Sequence, residues 1–586
     1  MQNTQAYWFK PSNFIQGEEH HFNLFWLLVM ACSLILLGLG FRDPWPADEP
    51  RFAQIAKEMV ESGQWFFPMR GGELYPDKPP IFMWTIASFY WLTGSIKVAF
   101  LLPSAISAIA TVLVVYDLGR RLWSNQIGWY AALLLLLSIQ FTLQAKTAQI
   151  DALVCFFITL GCYGLLRFLL LGGLWRWYYF AWFFMGIGVI TKGVGFLPLF
   201  MLVPYVFLRV FKKQDPNNTT GEITGGWRWL AGPLVMFVAI SLWFIPMILL
   251  VEQSQNPLYE IYRDNILFKQ TVTRYANSWH HFKPFWYYLV SVIPLFWLPL
   301  SLMLPWLVKH WKRALSDGER RIILPLFWVL LVILFFSLSP GKRGVYILPA
   351  LPMLALITAP YLSQIIHHPW LRRIIWLVVL VISLATLTLG LSGAMGLDFA
   401  TKLSLKQQIE PWAMFTSIGL AGCAICLFTY KRKQFVSWIL FIPLLWVFYS
   451  TWAYTLMNPI RAPHNIFAAI NKVVPEGSHI ALINLKEQFL FFSPYKMTHF
   501  GYHTSSDEQA KAAWLWQKQG ENRFILLDLD TPMPCFDLNG AMPLGYAHRV
   551  SWGLLNKDNL MPSCEKPELP INEYHYQPVI KQTPDN

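Results

Sequence analysis

"IFMWTIASFYWLTG", residues 81–94, is the stretch on which the topology turns. It is apolar enough for a membrane, yet at about 14 residues it falls in the length class of interfacial or re-entrant helices rather than spans. Counting it as a crossing would reverse the orientation of everything after it. The rest of the chain leaves no doubt about its solvent. Of 586 residues, 55% are hydrophobic and only 13% charged, against roughly 25% charged in an average soluble domain.

Windows such as "NLFWLLVMACSLILLGLG" (23–40) are long and uncharged, as a bilayer crossing requires. This first window lacks a basic leader and a small-residue cleavage site, so it reads as a span and not a cleaved signal. Scanning onward gives spans at 98–118, 127–143, 150–170, 177–190, 194–211, 229–251, 285–307, 322–338, 345–365, 371–393, 411–430 and 435–456, thirteen in all. Residues 81–94 are left out.

The distribution of charge favours that choice. If 81–94 does not cross, the loops with Arg120 and Arg121, Lys212 and Lys213, Lys309 to Arg321, Arg372 and Arg373, and Lys431 to Lys433 share one side. Basic loops face the cytoplasm. Segments 41–97, 144–149, 191–193, 252–284, 339–344, 394–410 and the tail then face the periplasm. The net charge of +13 therefore has an ordinary origin in membrane topology, and no nucleic-acid partner is expected.

The expected organisation is a membrane domain over 1–457, with periplasmic loops at 41–97 and 252–284, and a periplasmic domain over 458–586. In the latter, "HIALINL" and "RFILLDLD" read as buried strands and Asp507 to Gly520 as a helix, with a loosely ordered end after Cys564. Cys32, Cys155, Cys162, Cys423 and Cys426 lie in apolar segments as small hydrophobes. Cys535 and Cys564 are free to form a disulfide if the tail faces an oxidising compartment.

The stretch just before the undecided one, "DPWPADEPRFAQIAKEMVESGQWFFPMRGGELYPDKPP" (43–80), is unexpectedly polar. Phe52, Ile55, Ala56, Met59 and Val60 form the apolar stripe of a surface helix. Asp48 stands at its N-cap position, a role worth about 1 kcal/mol, and Glu49 suits the helix dipole. That structural account weakens once the other periplasmic ends are inspected. Lys78 is held by Pro79 and Pro80, Lys146 and Asp151 flank a short link, and Lys192 sits in "GVITKGVG" between two spans. Lys342, Arg343 and Tyr346 open another span, and Arg263, Asp264, Asn265, Lys269 and Arg274 lie in the loop at 252–284. Single lysines at such places often snorkel. Together, cations and acids on one face point to chemistry on an anionic, lipid-borne substrate.

Six motifs in order, "DPWPADEPRFAQIAKEM", "YPDKPPIFMW", "TAQIDALVCFF", "ITKGVGFLP", "KPFWYYLVSVIPLFWLP" and "KRGVYILPALP", resemble the bacterial GT-C glycosyltransferases related to protein O-mannosyltransferases. Within that family the likeness is greatest to the branch that transfers aminoarabinose to lipid A. The resemblance implies a polytopic α-helical GT-C fold with periplasmic juxtamembrane helices and a small C-terminal α/β domain. It implies an inner-membrane transferase, active at the periplasmic face, that takes sugar from undecaprenyl phosphate. By motif position, Asp48, Glu49 and Asp151 are the candidate catalytic acids, and Lys78, Lys192, Arg343 and Tyr346 the candidate donor-phosphate site. Arg51, Arg263 and Arg274 are candidate contacts to other parts of the substrates. The chain departs from the family pattern with Asp77 in place of a common Glu, and with Asn265 in place of a His, His280 and His281 lying downstream. No cofactor is therefore expected to be required, and a metal found in relatives is in doubt here. The acceptor reads as lipid A, with a protein or another glycan as the alternative. A transporter of anionic lipid is the rival class, although no internal repeat of the kind such proteins show is visible.

Overall fold

The computed structural model describes residues 16–211, 225–268, 282–431 and 433–577. Among these, seven helices are long and apolar enough to cross a membrane, or nine if each of two bent helix pairs is one span. The remaining expected spans fall on the shorter apolar helices Asn23–Leu36, Leu197–Val210 and Ala350–Ile365 and on the helix Trp175–Lys192. Most of their inner faces merge into one apolar core, while Trp243, Met247 and Val251 of Gly226–Ser254 pack with Phe67, Ile190 and Tyr262 in a second one. Outward faces stay apolar and exposed, as along Gly226–Ser254 with Leu234, Phe237 and Leu242, because lipid rather than water surrounds them.

Two of the expected spans are not straight. Asn125–Leu136 meets Ile139–Ala145 at 71°, and Tyr288–Phe296 meets Leu300–Asp317 at 106°. The first break falls at Ser138, whose backbone is extended and whose hydroxyl donates back to Leu134 O at 2.7 Å. The second falls between Pro294 and Pro299, neither of which has an N–H to continue the helical ladder. Hydropathy windows run through both breaks because the intervening residues remain apolar.

The undecided stretch forms the helix Ile81–Thr93, ended by Gly94 with a left-handed φ of +66°. Its 13 residues rise about 20 Å, short of the roughly 30 Å of a hydrocarbon core. It packs instead on the expected amphipathic helix, Glu49–Ser62, through Phe82, Met83, Ile86 and Ala87, with the Phe52 and Phe82 rings edge to face at 5.2 Å. Between the two helices runs a small hairpin of β1 (Met69–Arg70) and β2 (Glu73–Leu74).

The last membrane helix continues to Arg461 before the chain enters the soluble domain. That domain is built on a mixed sheet of β3 (His479–Leu482), β4 (Lys496–His499), β5 (Arg523–Asp528), β6 (Met542–Ala547), β7 (Val550–Leu555) and β8 (Tyr574–Tyr576), in the order β6-β7-β5-β3-β4-β8. The two strands expected from the sequence, β3 and β5, are its parallel centre. The helix Ser506–Lys518 covers one face, and each face has its own apolar core. Cys535 and Cys564 are disulfide-bonded, with Cα atoms 5.1 Å apart. The segment after Cys564, expected to be loose, has no helix or strand up to Glu573, yet Ile571 packs against the core on one face of the sheet. Beyond Glu573 β8 pairs antiparallel with β4 and buries Tyr576, because a Tyr-His-Tyr alternation suits a half-buried edge.

This domain sits on the polar loop. Lys57 Nζ donates to the Tyr576 hydroxyl at 2.8 Å, the His499 ring bonds Gly71 O at 2.9 Å, and Tyr502 N donates to Glu73 at 2.9 Å. A Cβ on Gly71, already at φ +64°, would come within 2.4 Å of Leu490 and 2.9 Å of the His499 ring, so a side chain there would be strained and would push both away from the turn between β1 and β2.

Candidate active site

A cavity of about 230 Å³ opens where the polar loop meets the membrane helices, lined by Asp48, Arg51, Phe52, Tyr75, Asp77, Lys78, Gln149, Ile150, Asp151, Lys192, Arg343 and Tyr346. Five segments distant in sequence supply them. Asp48 and Arg51 come from the start of the surface helix, and Lys78 from the strap before Pro79 and Pro80. Asp151 lies in the first turn of Ile150–Leu170, where the positive end of the helix favours a carboxylate. Lys192 is the last residue of its helix, which Gly193 ends at φ +81°. Gly195 folds back so tightly that a Cβ there would meet Gly188 and Val189 backbone within 2.3 Å, which gives Lys192 little freedom to retreat.

Lys192 makes an ion pair with Asp151, and its ammonium lies 4.7 Å from the centre of the Tyr346 ring. Arg343 precedes and Tyr346 lies within the short 3-10 turn Gly344–Ile347, which is pinned from below: Gln140 donates to Gly344 O at 2.8 Å and receives the Trp297 indole N–H at 2.7 Å. The backbone of Lys78 is braced by the Tyr262 hydroxyl, 3.2 Å from its carbonyl, and Tyr262 packs edge-on to Phe67.

Asp48 is placed differently from its expected role as a cap. Its backbone is already helical, at φ −95° and ψ −32°, and its side chain makes no capping hydrogen bond, whereas a capping residue is normally extended. The carboxylate instead stands between two guanidinium groups, 3.6 Å from Arg343 and 3.7 Å from Arg51. Arg51 is held from the other side by Glu487 of the soluble domain, whose Oε1 accepts from its Nε at 2.8 Å. Burial works against the charge on Arg51, but Glu487 and the Tyr75 oxygen outweigh it and raise its pKa further. Tyr75 is pushed up to about 12 by burial and then by Asp77, with Arg51 opposing.

Glu49 is not brought to the cavity. Its carboxylate takes both guanidinium nitrogens of buried Arg42, the second at 2.8 Å, and the backbone N–H groups of Trp45 at 2.8 Å and Ala148 at 2.9 Å. Arg263 points away too, pairing at 2.8 Å with exposed Asp264, while its helix Pro257–Asp264 contributes Tyr262. Lys146 is buried under the site and donates to Ile35 O and Leu37 O at 3.2 and 3.0 Å. Burial, and then Arg42, lowers its pKa to about 7. Lys342 likewise donates to the Ser339 and Lys283 carbonyls. Arg274, Lys269, His280 and His281 lie outside the described residues.

The sequence reading did not single out Phe52, Tyr75, Gln149 and Ile150 as site residues, and met Asp77 only as a departure from a pattern. Tyr75 and Gln149 sit within three residues of Lys78 and Asp151, so proximity to an extended strap and to a helix start was the available signal. Among the described residues no group of three or more His, Cys, Asp or Glu side chains could hold a metal ion. The donor set of the cavity, with two of its acids turned to cations, does not fit one. What the cavity suits is a phosphate: four cations, Arg51, Lys78, Lys192 and Arg343, with a phenol from Tyr346 and an uncapped carboxylate beside them.

Comparison with known proteins agrees with this geometry. Residues 77–243 match the family model described as Dolichyl-phosphate-mannose-protein mannosyltransferase. The chain is 32% identical over 357 residues to an undecaprenyl phosphate-alpha-4-amino-4-deoxy-L-arabinose arabinosyl transferase of Pseudomonas savastanoi, covering 58% of this chain and 61% of that one. It is 28% identical over 440 residues to the protein of the same name from Pectobacterium atrosepticum, covering 73% and 72%. The matched stretch spans about three fifths of the length of the curated relatives it matches first. Among solved structures, ArnT from Cupriavidus metallidurans bound to undecaprenyl phosphate superimposes with a TM-score of 0.68 at 18% identity, over 92% of this chain and 99% of that one. The archaeal oligosaccharyltransferase AglB from Archaeoglobus fulgidus gives a TM-score of 0.51 at 11% identity, over 88% and 70%. The fold is therefore the GT-C fold, and the resemblance read from the six motifs is borne out.

Proposed function

We propose that this chain is a glycosyltransferase of the inner membrane that moves aminoarabinose from undecaprenyl phosphate to a phosphate of lipid A on the periplasmic face. The observation that carries the reading is the cavity itself, in which four cations from four separate segments line one space with Asp48 at the ends of the membrane helices. The names of the relatives support the donor and the sugar. The disulfide between Cys535 and Cys564 supports an oxidising compartment for the soluble domain. A transporter would place such charges nearer the midplane, between repeated halves.

In this reading Lys78, Lys192, Arg343 and Tyr346 hold the donor phosphate. An acceptor phosphate oxygen attacks the anomeric carbon, the bond from that carbon to the donor phosphate oxygen breaks, and the electron pair leaves with undecaprenyl phosphate. The leaving phosphate gains about one negative charge, so preorganised cations stabilise the transition state more than the ground state. Single displacement inverts the anomeric configuration. The acceptor phosphate is already ionised and gives up no proton. Asp48 therefore acts on the positive charge that develops at the sugar rather than as a base. Asp151 holds Lys192 in place.

The test is mass spectrometry of lipid A from cells with the gene, without it, and with Asp48→Asn. An aminoarabinose-sized increment present only with the unaltered protein supports donor and acceptor together. Lipid A of the same mass in all three strains sinks the lipid A assignment and moves the acceptor to a protein or another glycan.

A further inference from the structure

Away from the cavity, one turn of the soluble domain breaks a local rule. In the β6-β7 hairpin Ala547 pairs with Val550, which leaves a two-residue turn of His548 and Arg549. Both are left-handed, at φ +51° and +66°. Such turns are normally built from Asn and Gly, because a side chain at positive φ is strained. Strain kept at a particular place invites a search for what it positions.

The turn is tied to the membrane domain. His548 N donates to Ile460 O at 2.9 Å, next to Arg461, the last residue of the last membrane helix. A third cation arrives from the helix Glu487–Phe492, whose N-cap is Lys486. That helix packs on the hairpin through Phe489 and Trp552, ring centres 4.1 Å apart, and the Trp552 indole donates to Ala547 O, just before the turn, at 3.1 Å. Among the described residues, Arg461, Lys486 and Arg549 have neither an ion pair nor a side-chain hydrogen bond, and His548 Nδ1 is shut off from solvent with no partner. Burial, and then the nearness of Lys486, Arg461 and Arg549, hold His548 neutral down to about 4, with Glu487 opposing. A helix C-terminus accounts for Arg461 alone. It does not account for two more cations, Arg549 on a strained turn and Lys486 from a separate helix, beside an acid, Glu487, that is already paired with Arg51 and Arg70.

We propose that Arg461, Lys486 and Arg549 form a second phosphate site at the level of the lipid headgroups, which holds a phosphate carried by the acceptor glycolipid. The site adjoins the cavity, since Glu487, one residue after Lys486, holds Arg51. The identity of the glycolipid rests on the transferase reading; the phosphate site does not.

The experiment is native mass spectrometry of the full-length detergent-purified protein with added lipid A, phosphatidylglycerol or phosphatidylcholine, and no sugar donor. Lipid A is expected to be retained and phosphatidylcholine not. Arg461→Gln and Arg549→Gly are each expected to weaken retention about tenfold, the size of one charge-assisted contact. Arg549→Gly is the sharper variant, because glycine relieves the left-handed strain. Its melting temperature should hold or rise while binding falls, which no folding defect produces. Unchanged retention of lipid A in both variants overturns the site. Equal retention of phosphatidylglycerol supports a phosphate site and overturns its assignment to the acceptor. Retention of lipid A that depends on Arg549, in a protein that leaves cellular lipid A unmodified, supports the site while the transferase reading fails.

Discussion

The cavity and the floor beneath it begin one residue apart. Glu49 is nearly closed to solvent, and both its oxygens are occupied by Arg42 and two backbone N–H groups. The ring faces of Trp45, Tyr454 and Phe100 pack around the Arg42 guanidinium at 4.5 to 5.2 Å. Asp48 has no such company: its nearest cations are 3.6 and 3.7 Å away and its side chain is 18% exposed. A carboxylate with every lone pair satisfied fixes the loop and can do little else. One that faces two guanidinium groups across a gap, with neither in tight contact, keeps its charge available to a ligand entering between them.

The sharpest way to break this contrast is to remove each charge in turn. On the proposed function, Asp48→Asn is expected to lower turnover of the purified protein by about a hundredfold to a thousandfold, the range for one preorganised group acting on charge that develops in the transition state. Thermal stability should hold, because Asp48 makes no capping bond. Glu49→Gln is expected to do the reverse, destabilising the protein by about 3–5 kcal/mol by leaving the buried guanidinium of Arg42 without its charge partner. The enzyme that survives should turn over close to normally per folded molecule. A Glu49→Gln protein that melts normally but is inactive would place Glu49 in the chemistry after all.

Smaller effects belong to residues on only one side of the contrast. Lys78→Ala should raise the KM for the lipid-linked donor by about tenfold or more, the worth of one charge-assisted phosphate contact. An unchanged KM and rate would remove Lys78 from the phosphate site. Glu487→Gln tests whether the soluble domain extends the ordered floor up to the cavity. It keeps the shape of the contact and removes the charge that holds Arg51 at 2.8 Å and stands 3.6 Å from Arg70. We expect a rise in substrate KM of about fivefold with a smaller change in kcat, as misplacement of a binding group gives, and recovery in Glu487→Asp. An equal loss in both constants would make Glu487 a packing residue only.

The contrast between Asp48 and Glu49 could not be read from the sequence, and the reason is physical. Both stand in "PADEPR", and both suit the start of a helix. What separates them is Arg42, seven residues back, folded under the loop against Ala148 and Lys146 from another helix end. Nothing in the local pattern announces that fold-back. The same limit hid the bends at Ser138 and Pro299, since hydropathy is blind to a break among apolar residues, and it hid β4, β6 and β7, whose sequences lack a strong alternation. What was legible was what depends on bulk solvent. The helices came from apolar windows, and the refusal of 81–94 to span came from its length. The expense of placing charge at the end of an apolar helix flagged Lys78, Asp151, Lys192 and Arg343 together with Lys146 and Lys342, and it was the resemblance to the family that chose among them and added Tyr346. Residues whose roles are set by a partner across the fold, Tyr75 and Glu487 among them, had no such signal.

The smallest expected effect lies where the soluble domain grips the loop, and it is small because two larger ones oppose. The turn of the β1-β2 hairpin is held from both sides. The Glu58 carboxyl accepts from Gly71 N at 2.6 Å, and the His499 ring bonds Gly71 O at 2.9 Å. Burial raises Glu58 to about 7, against the hydrogen bonds from Gln54, Gly71 and Gly72. Burial lowers His499 to about 4, Gly71 O opposing and Arg70 adding to it. Between pH 4.5 and 6.5 the folded state therefore binds a proton at Glu58 that the unfolded chain lacks, and lacks one at His499 that the unfolded chain binds. Glu58 alone gives stability that is lost as pH rises through about 7; His499 alone gives stability that is lost as pH falls from 6.5 toward 4. Their slopes have opposite sign, so hydrogen-exchange protection of residues 69–74, corrected for intrinsic exchange, should be nearly flat across that window. Glu58→Gln removes one arm, and protection should then fall steadily with acid. Were the wild-type hairpin to show that same fall, Glu58 would have to be ionised in the folded protein, and this contact would belong with the locked carboxylate of Glu49 rather than with a neutral, protonated acid.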